Sequence, residues 1–179
     1  MKNNLFTKTK PDENKMKEFE QNVKINMKRA YFTALGFTGS HESALELSQE
    51  AFIRAYKNYN KFNPDRKFFT WYYKILKNLC LNFIRDSKKY NNVSFLDSTD
   101  NLPANSTPQQ DLERDETGKL VQEALLKLNF EDREIIILKE FQGLSYKEIS
   151  ELLNLPEGTV MSKLFYARKK LLKLLKGVL

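Results

Sequence analysis

Residues 91–116, NNVSFLDSTDNLPANSTPQQDLERDE, carry no sustained apolar period, and this interruption most constrains what the chain can fold into. Asn, Ser, Thr, Pro, Gln and Asp dominate the segment, a composition that favours solvated backbone over a packed element. On either side of it apolar side chains recur at helical spacing. The expected fold is therefore all-α: two small helical domains joined by a flexible acidic linker. A polar N-terminal tail (1–15) precedes the first domain (16–90), the linker covers 91–116, and the second domain covers 117–179. Fully extended, the 26-residue linker reaches roughly 85–95 Å at about 3.3–3.6 Å per residue. Ile135–Leu138 is a short β-branched run, but it lies inside a longer helical pattern and reads as buried helix.

Charge follows the same division. The 179 residues carry a net +7, distributed as +9 over 1–90, −5 over 91–116 and +3 over 117–179. Two basic segments separated by an acidic one suggest contact with a polyanion at two places. One Cys and one His exclude an internal disulfide and leave a zinc site short of ligands. A nucleophilic triad would have to run through His41 alone, so neither an enzyme nor a bound cofactor or metal is expected. The start, MKNNLFTKTKPDENK, is polar and lacks the apolar core of a secretory signal. No stretch approaches the roughly 20 apolar residues that span a bilayer. A cytoplasmic protein without membrane insertion is expected.

In the first domain, Glu42–Tyr59 is the clearest helix, with Leu47, Ala51, Phe52, Ala55 and Tyr59 on one face. The opposite face carries Glu42, Glu46, Gln49, Glu50 and Lys57 around Ile53. A solvated charged surface describes it; so does a protein-docking surface, since an apolar residue sits within a charged rim. Residues 52–83 then concentrate ten of the 22 aromatic residues, the one Trp included, and residues 52–90 hold ten basic side chains against two acidic. On a helix from Thr70 to Lys88, Lys74, Lys77, Asn78, Arg85 and Lys88 form one stripe. Cations that track phosphates beside stacking π-faces suit single-stranded nucleic acid. Phe52, Tyr56 and Trp71 are expected to be packed in the core rather than stacked on bases. In the loop Lys61–Lys67, Pro64 and Asp65 break the helix and hold Phe62 and Asn63 near the surface.

The second domain contains a helix-turn-helix pattern. Gly143 closes a helix over Asp132–Gln142, and Ser145 with Glu148 forms a capping box that starts Tyr146–Leu153. Asn154-Leu155-Pro156 makes the turn, with Pro at or near the first position of the next helix. There Val160, Leu164, Ala167, Leu171 and Leu174 line one face. Ser162, Phe165, Tyr166 and Lys169 point the other way, with Met161 and Lys163 flanking. A recognition helix in a major groove has this form, and so do generic helical hairpins. Cys80, among apolar neighbours, reads as core, and His41 as a surface residue at a helix start.

These motifs, in this order, resemble the bacterial sigma-70 family of transcription initiation factors, in its small extracytoplasmic-function group. That group keeps region 2 and region 4, joined by a linker. ELSQEAFIRAY (46–56) resembles region 2.2, FNPDRKFFTWYYKILKNLCLNFIR (62–85) regions 2.3 and 2.4, and residues 128–171 region 4. The resemblance implies that Glu46, Gln49, Glu50 and Ile53 dock on the β′ clamp helices of core RNA polymerase, and that region 4 meets the β flap. It implies that Phe62, Asn63, Arg66, Lys67, Lys74, Lys77 and Asn78 open the −10 element of promoter DNA and capture an extruded base. It further implies that Thr159, Met161, Ser162, Lys163, Phe165, Tyr166, Lys169 and Lys170 read the −35 element as duplex. An anti-sigma factor would be a further partner, and the acidic linker would thread the polymerase's nucleic-acid channels.

The chain departs from the resemblance where many members have three basic residues: here stand Met161, Lys163 and Tyr166. Without arginine, bidentate guanine readout worth roughly 1–3 kcal/mol per contact is lost. Methionine and tyrosine favour apolar contact such as thymine methyls, so weaker or more A/T-tolerant −35 recognition is expected. The competing reading is a free-standing helix-turn-helix regulator. Such a protein needs no acidic docking helix followed by a basic, aromatic one over 42–90, and commonly binds palindromic DNA as a dimer.

Overall fold

The structure is a computed structural model that describes residues 13–93 and 112–177. Seven α-helices make up the described chain, and no strand occurs among the described residues. They are α1 (Glu13–Thr38), α2 (His41–Lys57), α3 (Phe68–Val93), α4 (Leu112–Lys127), α5 (Phe130–Ile136), α6 (Tyr146–Leu153) and α7 (Glu157–Lys176). Helix α3 runs three residues into the expected linker and α4 takes up its last five. The remaining linker, 94–111, lies outside the described residues, as does most of the polar tail.

Helix α1 begins inside the expected tail and has no counterpart in the sequence-based helices. Its buried positions are Phe19, Asn26, Ala30, Thr33, Ala34, Gly36 and Phe37, a face made mostly of small and polar residues. Such a stripe carries little hydrophobic contrast, which hides it from a periodicity search. The polar members are satisfied within the helix: Asn26 Nδ2 donates to Asn22 O at 2.8 Å and Thr33 Oγ1 to Arg29 O at 2.8 Å. Gly39, at φ +73°, takes the left-handed turn that ends α1, and its N–H donates to Leu35 O at 2.8 Å.

Ser40 caps α2, accepting from Ser43 N at 3.2 Å. The buried face of α2 is Ala44, Ser48, Ala51 and Ala55, so α1 and α3 approach its backbone closely. Tyr72 Oη donates to Ser48 O at 3.0 Å, fixing α3 against it. Leu47, Phe52 and Tyr59 of the expected face are only partly buried. The helix also stops at Lys57, and Tyr59–Lys61 form a separate 3₁₀ turn. Phe52 is packed, stacking on Tyr72 at 4.3 Å, and Trp71 lies against Phe62 and Phe68. Tyr56 is the exception: it edges onto Phe19 at 5.3 Å but remains about half exposed.

In the second half, Asn129 caps α5 by accepting from Asp132 N at 2.8 Å, so this helix starts earlier than the expected Asp132. It continues as a π turn over Ile137–Phe141, closed by Gln142 N donating to Ile137 O at 2.9 Å. Gly143 at φ +64° then reverses the chain, and Leu144 N reaches back to Leu138 O at 3.1 Å. The Ser145–Glu148 capping box is present. Asn154 adopts the left-handed conformation at φ 55°, and Pro156 is the cap of α7 rather than its first residue. Val160, Leu164 and Ala167 are buried as expected, and Leu171 and Leu174 pack partly beneath them.

The two halves do not stand apart. Their buried side chains form one contiguous cluster, aromatic around α3 and aliphatic around α5. Phe37 of α1 stacks on Phe130 of α5 with ring centroids 4.8 Å apart. A Cβ on Gly36 would lie 2.7 Å from Ile137 Cδ1, so glycine is what permits this approach.

Candidate nucleic-acid interface

The outer face of α2 carries Glu46 and Gln49 in full exposure, with Ile53 half exposed between them. Glu50 is partly covered and engages Arg54 one turn on, at 2.6 Å. The small-residue face beneath seats the helix, so this acidic surface is held rigidly.

The following loop is ordered by its own backbone. Asn63 Oδ1 accepts from Asp65 N at 2.9 Å, and Arg66 N donates to Asn63 O at 3.0 Å. Asn63, Arg66 and Lys67 are exposed. Phe62 is half buried, within an aromatic cluster in which its ring centroid lies 5.5 Å from Tyr59, 5.6 Å from Phe68 and 5.2 Å from Trp71. Trp71, Lys74 and Asn78 follow at helical spacing, and Lys74 and Asn78 are exposed. Phe62, Trp71, Lys74 and Asn78 thus form one strip: an aromatic floor continuous with the core, edged by a cation and an amide. Lys77 is drawn off this strip. Its Nζ lies 2.6 Å from Glu134 Oε1 of α5.

On α7, Met161, Phe165 and Tyr166 are 53%, 62% and 60% exposed. Phe165 and Tyr166 meet edge to face at 5.4 Å. Thr159 is partly covered, and Ser162 Oγ donates to Thr159 O at 3.1 Å. Three of the six cations of this helix are engaged: Lys163 pairs with Glu131 at 2.7 Å, Lys170 with Asp132 at 2.5 Å and Arg168 with Glu140 at 2.5 Å. Hydrogen bonding by Lys163 lowers the Glu131 carboxyl pKa, and the same bond raises that of Lys163. Lys169 pairs with no described acid. The amino-terminal part of α7 therefore presents an apolar, aromatic surface with its cations held back.

Two segments match sequence families. Residues 23–90 match Sigma-70 region 2, and residues 119–171 match Sigma-70, region 4. Over 168 residues the chain is 34% identical to the ECF RNA polymerase sigma factor SigW of Bacillus subtilis (strain 168), covering 89% of this chain and 90% of that one. The chain belongs to the sigma-70 family. It is also 32% identical over 151 residues to the RNA polymerase sigma-H factor of Pseudomonas aeruginosa, covering 80% and 78%. In fold it is similar to the sigma factor RpoE of Bartonella quintana, solved in complex with the anti-sigma factor NepR. There the TM-score is 0.69 at 24% identity, covering 89% of this chain and 98% of the other. Sigma factors are transcription initiation factors rather than enzymes, and this one acts in promoter-specific initiation. No described helix of it is long and apolar enough to cross a membrane.

Several residues that organise this sigma factor carry no local sequence signal. Arg133 is buried, and its guanidinium donates to Phe37 O at 2.6 Å, Leu126 O at 2.7 Å and Leu128 O at 3.0 Å. It thereby caps the carboxyl ends of α1 and α4 at once, where unpaired carbonyls attract a cation. Burial lowers its pKa, and its Nε finds no acceptor. Tyr73 Oη donates to Glu134 Oε1 at 2.6 Å, and burial, with the nearby carboxylate, pushes the phenol well up. The run EDRE (131–134) shows only as charge in the sequence, yet Glu131 and Asp132 bond α7, Arg133 the ends of α1 and α4, and Glu134 α3. Cys80 is fully buried, its thiol pushed up to about 12 by burial. His41 opens α2 at the surface against Tyr31.

Proposed function

We propose that this sigma factor grips melted −10 DNA with Phe62, Asn63, Arg66, Lys67, Lys74, Lys77 and Asn78, on and around the aromatic strip. The strip's continuity with the core carries this reading. A base stacked there meets an aromatic surface already fixed by its neighbours, so little ordering cost opposes capture. Glu46, Gln49 and Glu50, around Ile53, dock on the β′ clamp helices of core polymerase, and region 4 meets the β flap. Such a protein works in the cytoplasm, performs no catalysis and is open to control by an anti-sigma factor.

Region 4 reads the −35 duplex with Thr159, Met161, Ser162, Lys163, Phe165, Tyr166, Lys169 and Lys170. The exposed Met161, Phe165 and Tyr166 favour thymine methyls, Lys169 holds phosphate, and the ion pairs on Lys163 and Lys170 weaken their reach. The −35 preference is A/T-tolerant, and a binding-site selection returning a strict G-rich motif would overturn it. Transcription of genomic DNA by core polymerase, with and without this chain, tests the whole reading by its start sites. Alanine at Glu46, Gln49 and Glu50 together abolishes association with core polymerase while leaving the helical fold intact. Unchanged association would refute the docking face.

A further inference from the structure

The sulfur atoms of the chain divide by exposure. Cys80, the one cysteine, is fully buried, and burial pushes its thiol up to about 12, so it offers no thiolate to an oxidant. Three of the four methionines, Met16, Met27 and Met161, lie among the described residues, and all three are exposed. Met16 and Met27 belong to α1, where Met16 Sδ accepts from Tyr56 Oη at 3.8 Å. Met161 stands in the second turn of α7, four positions before Phe165 and so beside it on one face. The polar neighbours of Met161 are engaged elsewhere. Ser162 Oγ donates back to Thr159 O at 3.1 Å, and Lys163 Nζ is held 2.7 Å from Glu131 Oε2. The thioether is left to meet base edges, and it is one of the few apolar groups that oxidation turns polar.

We propose that Met161 is a reversible oxidation site on the DNA-reading helix, its thioether supporting −35 recognition and its sulfoxide opposing it. The proposal rests on the reading of the −35 duplex by α7. The oxidant is hydrogen peroxide. The Met161 Sδ lone pair attacks a peroxide oxygen, and the S–O bond forms as the O–O bond breaks. The leaving hydroxide takes the proton of the transferred oxygen and departs as water, so sulfur loses two electrons and peroxide gains them. The new S=O oxygen is a strong acceptor. Against a thymine methyl it finds no donor, because Ser162 and Lys163 are already committed, and a desolvated, unpaired acceptor opposes docking. Methionine sulfoxide reductases, one for each sulfoxide epimer, return the thioether.

The test uses the full chain, treated with hydrogen peroxide, freed of it by catalase and then assembled with core polymerase. Peptide masses report the oxygen added at Met161, and holoenzyme binding is measured on promoter duplexes with an intact or a scrambled −35 element. Oxidation lowers affinity for the intact duplex about tenfold, the order expected for an unpaired acceptor, and leaves the scrambled one unchanged. Reductases of both epimer classes restore it. Met16→Leu with Met27→Leu keeps the whole loss, whereas Met161→Leu, compared with its own untreated form, shows none. An equal loss in Met161→Leu, or a loss that the reductases do not reverse, would overturn the proposal. So would full affinity with Met161 oxidised, or a Met161 that stays reduced while Met27 gains its oxygen. Met161→Ala separates the proposal from the reading beneath it. If that variant weakens binding to the intact duplex while oxidation of the native chain does not, the oxidation site falls and the −35 assignment stands. If neither changes binding, both fall.

Discussion

The two halves hold their cations in opposite ways. Region 2 sets Lys74 and Asn78 beside rings that belong to its core, with Phe62 and Trp71 joining Phe68 and Tyr72 in one aromatic body. Its basic residues have few acids of their own half nearby: ten stand against two over residues 52–90. Region 4 has an aliphatic core of Ile135, Ile136, Ile137, Leu138, Ile149 and Leu164, and among the described rings its exposed Phe165 and Tyr166 touch only each other. It also pairs three cations of α7, Lys163, Arg168 and Lys170, with its own acids Glu131, Glu140 and Asp132. Similar local compositions, basic with aromatics, thus yield rings packed into the core in one half and an exposed apolar surface in the other.

The largest effect should come from Phe62→Ala combined with Asn78→Ala. With stacking worth about 1–3 kcal/mol per base, open-complex formation falls about a hundredfold. Duplex binding at −35 stays unchanged. Permanganate reactivity of the melted thymines and a duplex-binding assay measure the two steps, and equal loss in both would erase the division of labour between the halves. Next comes Arg133→Ala. It leaves the buried carbonyls of Phe37, Leu126 and Leu128 without their donor, destabilising the fold by about 3 kcal/mol. Calorimetry should show the single transition of the native chain separate into two. Arg133→Lys does not rescue, because one ammonium cannot reproduce the guanidinium fork.

A smaller effect tests the apolar surface directly. Replacing −35 thymines by deoxyuridine removes a methyl worth about 0.8 kcal/mol, so affinity drops about fourfold per contacted base. Substituting 7-deazaguanine leaves it unchanged. The reverse pattern would make region 4 a guanine reader. The smallest effect concerns Glu148, whose carboxyl is held at about 2 by Lys67 first and then by Ser145. Its folded pKa lies below its ordinary value, so its stabilisation is full above about pH 4.5 and is lost as pH falls towards 2. Melting temperatures of the native chain should therefore fall more steeply over that window than those of Glu148→Gln. Because the pair is exposed, the difference is slight.

Much of this was legible residue by residue. The Ser145–Glu148 box, the Asn154 turn and the buried Val160, Leu164 and Ala167 follow from spacing and capping chemistry, which act within one or two turns. Helix α2 was legible in place but not in detail. Its true buried face is Ala44, Ser48, Ala51 and Ala55, because close helix packing selects small residues over large apolar ones. Helix α1 was not legible, since Asn26 and Thr33 on its inner face satisfy themselves by local hydrogen bonds and blur the apolar stripe. Tyr56, expected in the core, is half exposed because Phe19 already fills the space beneath it.

Helicity, the helix-turn-helix order, the acidic face of α2, the clustering of aromatics around α3 and membership of the sigma-70 family are all properties of short windows. Hydrophobic period, caps and charge runs are read within them. The contact between Lys77 and Glu134, 57 positions apart, is of another kind. It exists because α1 ends at Gly39, Arg133 caps it, and Gly36 admits Ile137, so that α5 packs on α1 and brings Glu134 to α3. No window contains all of these residues. Only the folded chain decides which acid meets which cation, because that pairing depends on helices packed together from distant parts of the sequence.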